Sequence, residues 1–170
     1  YNTNSGAIGS VTSGTYVNIH GNTATGQIAT GSGESVTTGT TLTVGSSTNG
    51  QKNEGVIGPV TVATTATINN AGTIGPVVIN GQSTSNLYVY DGAERADVQI
   101  DAGLLNVYDM TASGSPTVNV TASGGKIEVI ANEATGEVHA QVHVTVTDGL
   151  ADGKNVVVRG QLATVVHNGA

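Results

Sequence analysis

The sequence predicts an all-β fold, a short right-handed parallel β-helix (a solenoid) with about 17–22 residues per turn. Three observations lead there. The tetrapeptide Ile-Gly-Pro-Val occurs at 57–60 and again at 74–77, a step of 17 residues. Leu87-Tyr88-Val89-Tyr90 is echoed by Leu105-Asn106-Val107-Tyr108, a step of 18. Short apolar-alternating runs at a nearly fixed step are what a coil of β-structure gives, one turn per repeat. The third observation is composition. Charged residues make up 10% of the chain and Gly 25 of 170 positions, with no Phe or Trp. Ordinary domains are about 25% charged, and their cores lean on large side chains. A narrow coil is filled by stacked Val, Ile and Ala instead. Short strands at close spacing also suit an antiparallel β-sandwich, whose terminal strands serve in donor-strand exchange.

The chain is read as one domain in two parts, an irregular N-terminal β segment over 1–54, a candidate for contact between subunits, and a solenoid body over 55–170. Residues 1–5 are polar and read as a tail. Gly6-Ala7-Ile8-Gly9-Ser10-Val11 loosely resembles the later Ile-Gly-Pro-Val units. Tyr16-Val17-Asn18-Ile19 alternates and reads as a strand. Residues 21–33 are turns with a short strand near Ile28, and 35–44 is β-prone through Thr and Val. The run 45–54, with its Asn49-Gly50 turn signal, is the clearest loop.

From Gly55 the rhythm steadies. Strands are predicted at 56–62, 66–69, 73–80, 86–90, 97–101, 104–109, 117–121, 126–130, 137–146, 155–159 and 163–167. Two families interleave. One is 87–90, 105–108 and 127–130, and the other is 98–100, 118–120 and 138–140. A step of about 20 gives roughly eight turns and a coil ~40 Å long. Alternation points Leu87, Val89, Val98, Ile100, Leu105 and Val107 inward. It does the same for Val118, Val120, Ile127, Val129 and the alternate residues from Val138 to Val146. Tyr88, Tyr90, Gln99, Asn106, Tyr108, Asn119, Glu128, His139, Gln141 and His143 point outward.

The stretch 55–80, with its GVIGPVTV and TIGPVVIN units joined by TTATINNAG, resembles the right-handed parallel β-helices of prokaryotic surface proteins. Adhesin stalks, surface-layer proteins and filament-forming β-helices share this Val/Thr/Asn/Gly texture. The resemblance extends over about 55–167 and implies an extracellular structural or adhesive role. Bactofilin-like filaments share the small rung, but their turns are more charged.

Candidate chemistry is sparse. Asp91 and Asp109 lie 18 residues apart and are expected to stack on neighbouring turns, as a carboxylate pair or a cation site. Asp148 and Asp152 lie in an acidic loop whose two Asp-Gly turns explain it without a metal. His139 and His143 share a strand face but stand about 13 Å apart, too far to share a metal. His20 and His167 have no visible partner. There is no phosphate loop and no nucleophile elbow. With no cysteine there is no disulfide or thiolate metal site. Asn119-Val120-Thr121 is an N-x-[ST] glycosylation sequon. No cofactor and no enzymatic activity are expected.

The net charge is −7 with five Lys+Arg. This excludes nucleic acid, which needs clustered cations, and disfavours anionic membranes. No apolar run reaches the ~18 residues of a membrane helix. A start at Tyr1 fits a processed, exported chain or a piece of a longer one. No capping helix is predicted, and an uncapped solenoid must continue into more protein or stack on another copy. The expected function is therefore a structural subunit of an extracellular filament or surface layer, a homopolymer joined end to end. Ala7, Ile8, Val11, Tyr16, Val17 and Ile19 of the first turn would meet Val156, Val158 and Val165 of the last. The alternative is an adhesin or phage-fibre stalk or glycan-binding module, using Tyr88, Tyr90 and Tyr108.

Overall fold

Alternation of β-branched residues with polar ones builds a coil of about six turns. The computed structural model describes residues 2, 7–46, 48, 50–146, 156–159 and 161–169, the last two runs by backbone. Among them are eighteen strands and no helix. Three short strands make each of the first turns: β1 (Ala7–Ile8), β2 (Val11–Ser13) and β3 (Val17–Ile19), then β4 (Gln27–Ile28), β5 (Val36–Thr38) and β6 (Thr41–Val44). The third holds β7 (Val56–Ile57), β8 (Val60–Val62) and β9 (Thr65–Asn70). From there two longer strands suffice: β10 (Thr73–Ile79) and β11 (Thr84–Val89), β12 (Arg95–Ile100) and β13 (Leu104–Asp109), β14 (Thr117–Ala122) and β15 (Lys126–Ile130). The last are β16 (Glu137–Val146), β17 (Val156–Arg159) and β18 (Gln161–Gly169).

Two sheets result. Sheet I has eleven strands and runs β1-β4-β7-β10-β12-β14-β16-β18, with β2, β5 and β8 alongside. Sheet II has seven and runs β3-β6-β9-β11-β13-β15-β17. Every pairing between these strands is parallel. The antiparallel sandwich with donor-strand exchange is thereby overturned. The two predicted strand families are the two sheets.

The repeat units stack as their spacing suggests. Ile57 pairs with Ile74 and Val60 with Val77. Between them the Gly58-Pro59 and Gly75-Pro76 peptide bonds are both cis, at the same place in the two turns. Ile8 and Val11 stand in the same columns through Ile28 and Val36, so the ladders run unbroken from residue 7 through the segment 1–54 into the body. The step is not uniform. Between paired strands it runs from 17 residues (Ile57 to Ile74) to 29 (Ile28 to Ile57), and it reaches 31 at the bridge from Asn22 to Asn53. The long step carries the residues between β4 and β5, where the Glu34 carboxylate accepts from Gly31 N at 2.8 Å, and the connection from β6 to β7. That is why the turns number fewer than the eight a uniform 20-residue step gives.

Each inward residue predicted from the alternation is buried, from Leu87 to Val146. Three registers differ from expectation. Leu87 lies over Val107 and Tyr88 over Tyr108, a step of 20 and not 18. Val98 lies over Val120 and not Val118, a step of 22 and not 20. Val118 and Val120 pair with Val142 and Val144, not with Val138 and Ala140. All three shifts are by an even number of residues. An even slip keeps every side chain on its face, so hydrophobic alternation does not detect it.

Candidate functional site

Among the described residues the first turn has a paired neighbour on one side. Among the described residues β1 pairs with β4, β2 with β5 and β3 with β6, each on one side. At the far end β17 pairs with β15 and β18 with β16, again on one side. Val17 and Ile19 are buried beneath their own turn, while Ile8 is 39% and Tyr16 62% exposed. Val11 is partly buried against the core and Ala7 is exposed. Ala7, Ile8, Val11, Tyr16, Val17 and Ile19 are thus brought together on one terminal rung. At the other end the backbone places Val156, Val158 and Val165 on the last strands, in register with Ile127, Val129 and Val142.

Down one corner runs a column of buried asparagines that sequence reasoning missed. Asn2 Nδ2 donates to Asn22 Oδ1, Asn22 Nδ2 to Asn53 Oδ1, and Asn53 Nδ2 to Asn70 Oδ1, each at 2.9 Å. Asn70 ends the column by donating to the backbone carbonyls of Gly72 and Arg95. A primary amide both donates and accepts, so it can be hydrogen-bonded to the turn above and below at once. The signal present in the sequence was Asn-x-Gly, at Asn53-Glu54-Gly55 and Asn70-Ala71-Gly72. An added Cβ on Gly72 would lie 2.3 Å from the carbonyl oxygen of Gly55, so the corner admits no side chain there.

Past Asn70, carboxylates take over the corner. Asp91 accepts from the backbone N–H groups of Ala112 (3.0 Å), Ser113 (3.3 Å) and Gly114 (2.9 Å) on the next turn. These bonds, that from Ala112 foremost, hold its carboxyl below the usual carboxylate range. Asp109 is buried, 1% exposed. One of its oxygens accepts from Thr111 N (2.8 Å) and Thr111 Oγ1. The other accepts from His139 N and from Ala140 N (2.8 Å). Residues 137–140 of β16 precede the pairing with β14 and hang on this carboxylate, which explains the shifted register.

The expected stacking of Asp91 on Asp109 is not found. Asp109 stands in register with Val89. Both carboxylates are spent on backbone donors, as turn-formers are, so neither is disposed as a reacting pair. Asp148 and Asp152 lie outside the described residues. Among the described residues no group of three or more His, Cys, Asp or Glu is placed to hold a metal ion.

Outside the core, Tyr88 and Tyr108 stack with ring centroids 4.7 Å apart and planes 9° from parallel. The two faces that meet are closed to a sugar ring. Tyr90 donates its hydroxyl to Asn69 Oδ1 at 3.1 Å, and Lys52 Nζ sits 4.3 Å from the Tyr90 ring centre. Asn119 lies mid-strand in β14 and donates its side-chain nitrogen to Asp97 Oδ1 at 2.8 Å. Asp97 also takes Arg95 Nε at 2.7 Å. A glycan on Asn119 would have to displace that bond. His139 and His143 lie outward on β16, and His139 Nε2 is 3.0 Å from Glu137 Oε2. His20 is exposed, and the side chain of His167 lies outside the described residues. No family model, curated protein or solved structure matches this chain.

Proposed function

We propose that this chain is a structural subunit of an extracellular filament or surface layer, joined to further copies by end-to-end β-pairing. The observation that supports it most is the first rung. Among the described residues its three strands are paired on one side, and two of the four exposed large apolar side chains found there, Ile8 and Tyr16, belong to it. A parallel strand with one neighbour presents a row of N–H and C=O groups to any strand of matching length. The last rung presents the complementary row. Stacking the first turn of one copy on the last of another joins two different surfaces, and heterologous contacts that do not close by rotation give fibres.

The drive is of two kinds. New backbone hydrogen bonds form across the joint, and apolar area leaves water at about 25 cal/mol per Å². The low charge density limits repulsion between copies. The role is mechanical and has no catalytic part, and the localisation that goes with it is the cell exterior. Sedimentation velocity on a chain lacking residues 6–18 tests the reading. The joint then has no first rung, and monomers are expected where the intact chain forms polymers. Polymers that persist in the shortened chain would refute this joint.

A further inference from the structure

We infer that the joint between copies has one register, in which the residue columns of both sheets pass from the last rung of one copy to the first rung of the next without a slip. The inference rests on the end-to-end reading and adds to it which residue meets which. The columns can be followed strand by strand through the coil. Ile8 leads through Ile28, Ile57, Ile74 and Val142 to Val165. Val11 leads through Val36, Val60, Val77 and Val144 to His167, with valine at every rung before the last. On sheet II, Asn18 leads through Thr43, Thr67 and Asn106 to Val157.

Strand lengths select this register. β3 has three residues and β17 four, Val156–Arg159. With no slip Asn18 stands over Val157 and Ile19 over Val158, so β3 lies within β17. A slip of one exchanges inward and outward positions along the whole strand. A slip of two carries β3 past one end of β17 or the other, which leaves part of its backbone facing no strand. Sheet I agrees. With no slip Ile8 stands over Val165, Thr12 over Asn168 and Ser13 over Gly169, where β18 ends.

One mismatch remains, and the coil already contains its like. Ile8 and Val11 are three residues apart, whereas Val165 and His167 are two apart. Inside the coil Ile74 and Val77, three apart, pair with Ala96 and Val98, two apart, and the pairing continues to Ile79 and Ile100. Between Ile8 and Val11 stand Gly9 and Ser10, and Ser10 Oγ accepts from Ser35 N of its own chain at 3.1 Å. The extra residue is thus held by the copy it belongs to. A strand of some other protein would cover one of the three strands of this rung. A second copy brings β17 and β18 together, already set at the spacing of the two sheets.

The chain has no cysteine, so paired substitutions read the register directly. Cα atoms paired across neighbouring strands are about 4.8 Å apart, within reach of a disulfide, whereas a slip of two sets them about 8 Å apart, beyond the limit of roughly 7 Å. Each variant carries both cysteines in one chain. Asn18→Cys with Val157→Cys reads sheet II, and Thr12→Cys with Asn168→Cys reads sheet I. The slipped controls are Asn18→Cys with Arg159→Cys and Thr12→Cys with Val166→Cys. Thr12 and Asn18 are exposed and lie outside the core, and circular dichroism in reductant checks each fold. The two sites of a pair lie on the first and last rungs, so a link joins two copies. After assembly and mild oxidation, the in-register pairs are expected to give a series of covalent multimers on a non-reducing denaturing gel, and the slipped pairs monomers. Fibres in which the slipped pairs link, or in which no pair links, would overturn this register and leave end-to-end joining standing. A parent chain that sediments as a monomer would overturn the joint itself, and the register with it.

Discussion

Asn53 donates through Nδ2 to the Oδ1 of Asn70 on the next turn, at 2.9 Å, with both residues fully buried. The same Nδ2 donates to Thr73 O at 3.0 Å, and Asn53 Oδ1 accepts from Asn22 Nδ2 and Gly55 N. Four polar atoms on three turns therefore depend on this one amide. Asn53→Ala should cost about 3 kcal/mol, because each buried partner left unpaired costs roughly 1–3 kcal/mol. Asn53→Asp should also destabilise, since it sets a carboxylate against two acceptors in a dry corner. Urea denaturation measures both. Hydrogen exchange should place the loss in the turns either side of Asn53, as nearest-neighbour coupling in a solenoid requires.

Asp109 offers a sharper contrast between a structural and a chemical role. Its carboxylate holds the start of β16 through His139 N and Ala140 N. Asp109→Asn replaces one acceptor with a donor facing donors. A loss of about 2 kcal/mol is expected, in the range for hydrogen bonds to charged groups. The reading is wrong if the variant melts with the parent.

The acid side of the stability profile follows from two other carboxylates. Asp91 is held low by backbone N–H groups, Ala112 first. Asp101 is held low by Ser123 and then Gln99, with Ser123 Oγ at 2.6 Å. A folded pKa below the unfolded value means stability that is fully present above the unfolded pKa and lost as pH falls through the folded one. The urea midpoint should therefore be level above the unfolded Asp value of about 3.9 and decline below it. Asp91 is exposed and Asp101 partly so, which makes the decline shallow. Asp91→Asn should flatten it further, and an unaltered acid limb in that variant would count against the assignment.

Gly58 tests the close approach of two neighbouring turns in sheet I. Its φ is +155°, and an added Cβ would lie 2.1 Å from the carbonyl oxygen of Gly75 one turn on. Backbone does not yield as a flexible side chain does. Gly58→Ala should therefore destabilise by more than the ~1 kcal/mol of a conformational penalty. Gly33, whose added Cβ would meet nothing within 4 Å, makes the control. Its φ of +74° leaves the conformational cost without the collision. Calorimetry should rank Gly58→Ala below Gly33→Ala in melting temperature.

Alternation made the inside and outside of this coil legible from the residues. Leu87, Val107 and Val129 are all buried, as the alternation places them. The repeated Ile-Gly-Pro-Val was legible because its two copies meet with no insertion between them. Register elsewhere was not, because a slip of two leaves Leu87 facing inward whether it lies over Leu105 or Val107. That slip also removed the expected pairing of Asp91 with Asp109. The asparagine column escaped notice because its steps, 31 residues from Asn22 to Asn53 and 17 from Asn53 to Asn70, are irregular. Asn is also common in turns for unrelated reasons. The rung at Ile8 and Tyr16 took shape once β1, β2 and β3 were seen to lie together on the first described turn.

The most direct test of end-to-end assembly is negative-stain electron microscopy of the purified chain beside its Ile8→Lys variant. Ile8 is exposed, so the substitution puts a charge in the joint without disturbing the core. Unbranched fibres one coil wide are expected from the parent and discrete particles from the variant. Discrete particles from both, or identical fibres from both, would contradict joining through the first rung.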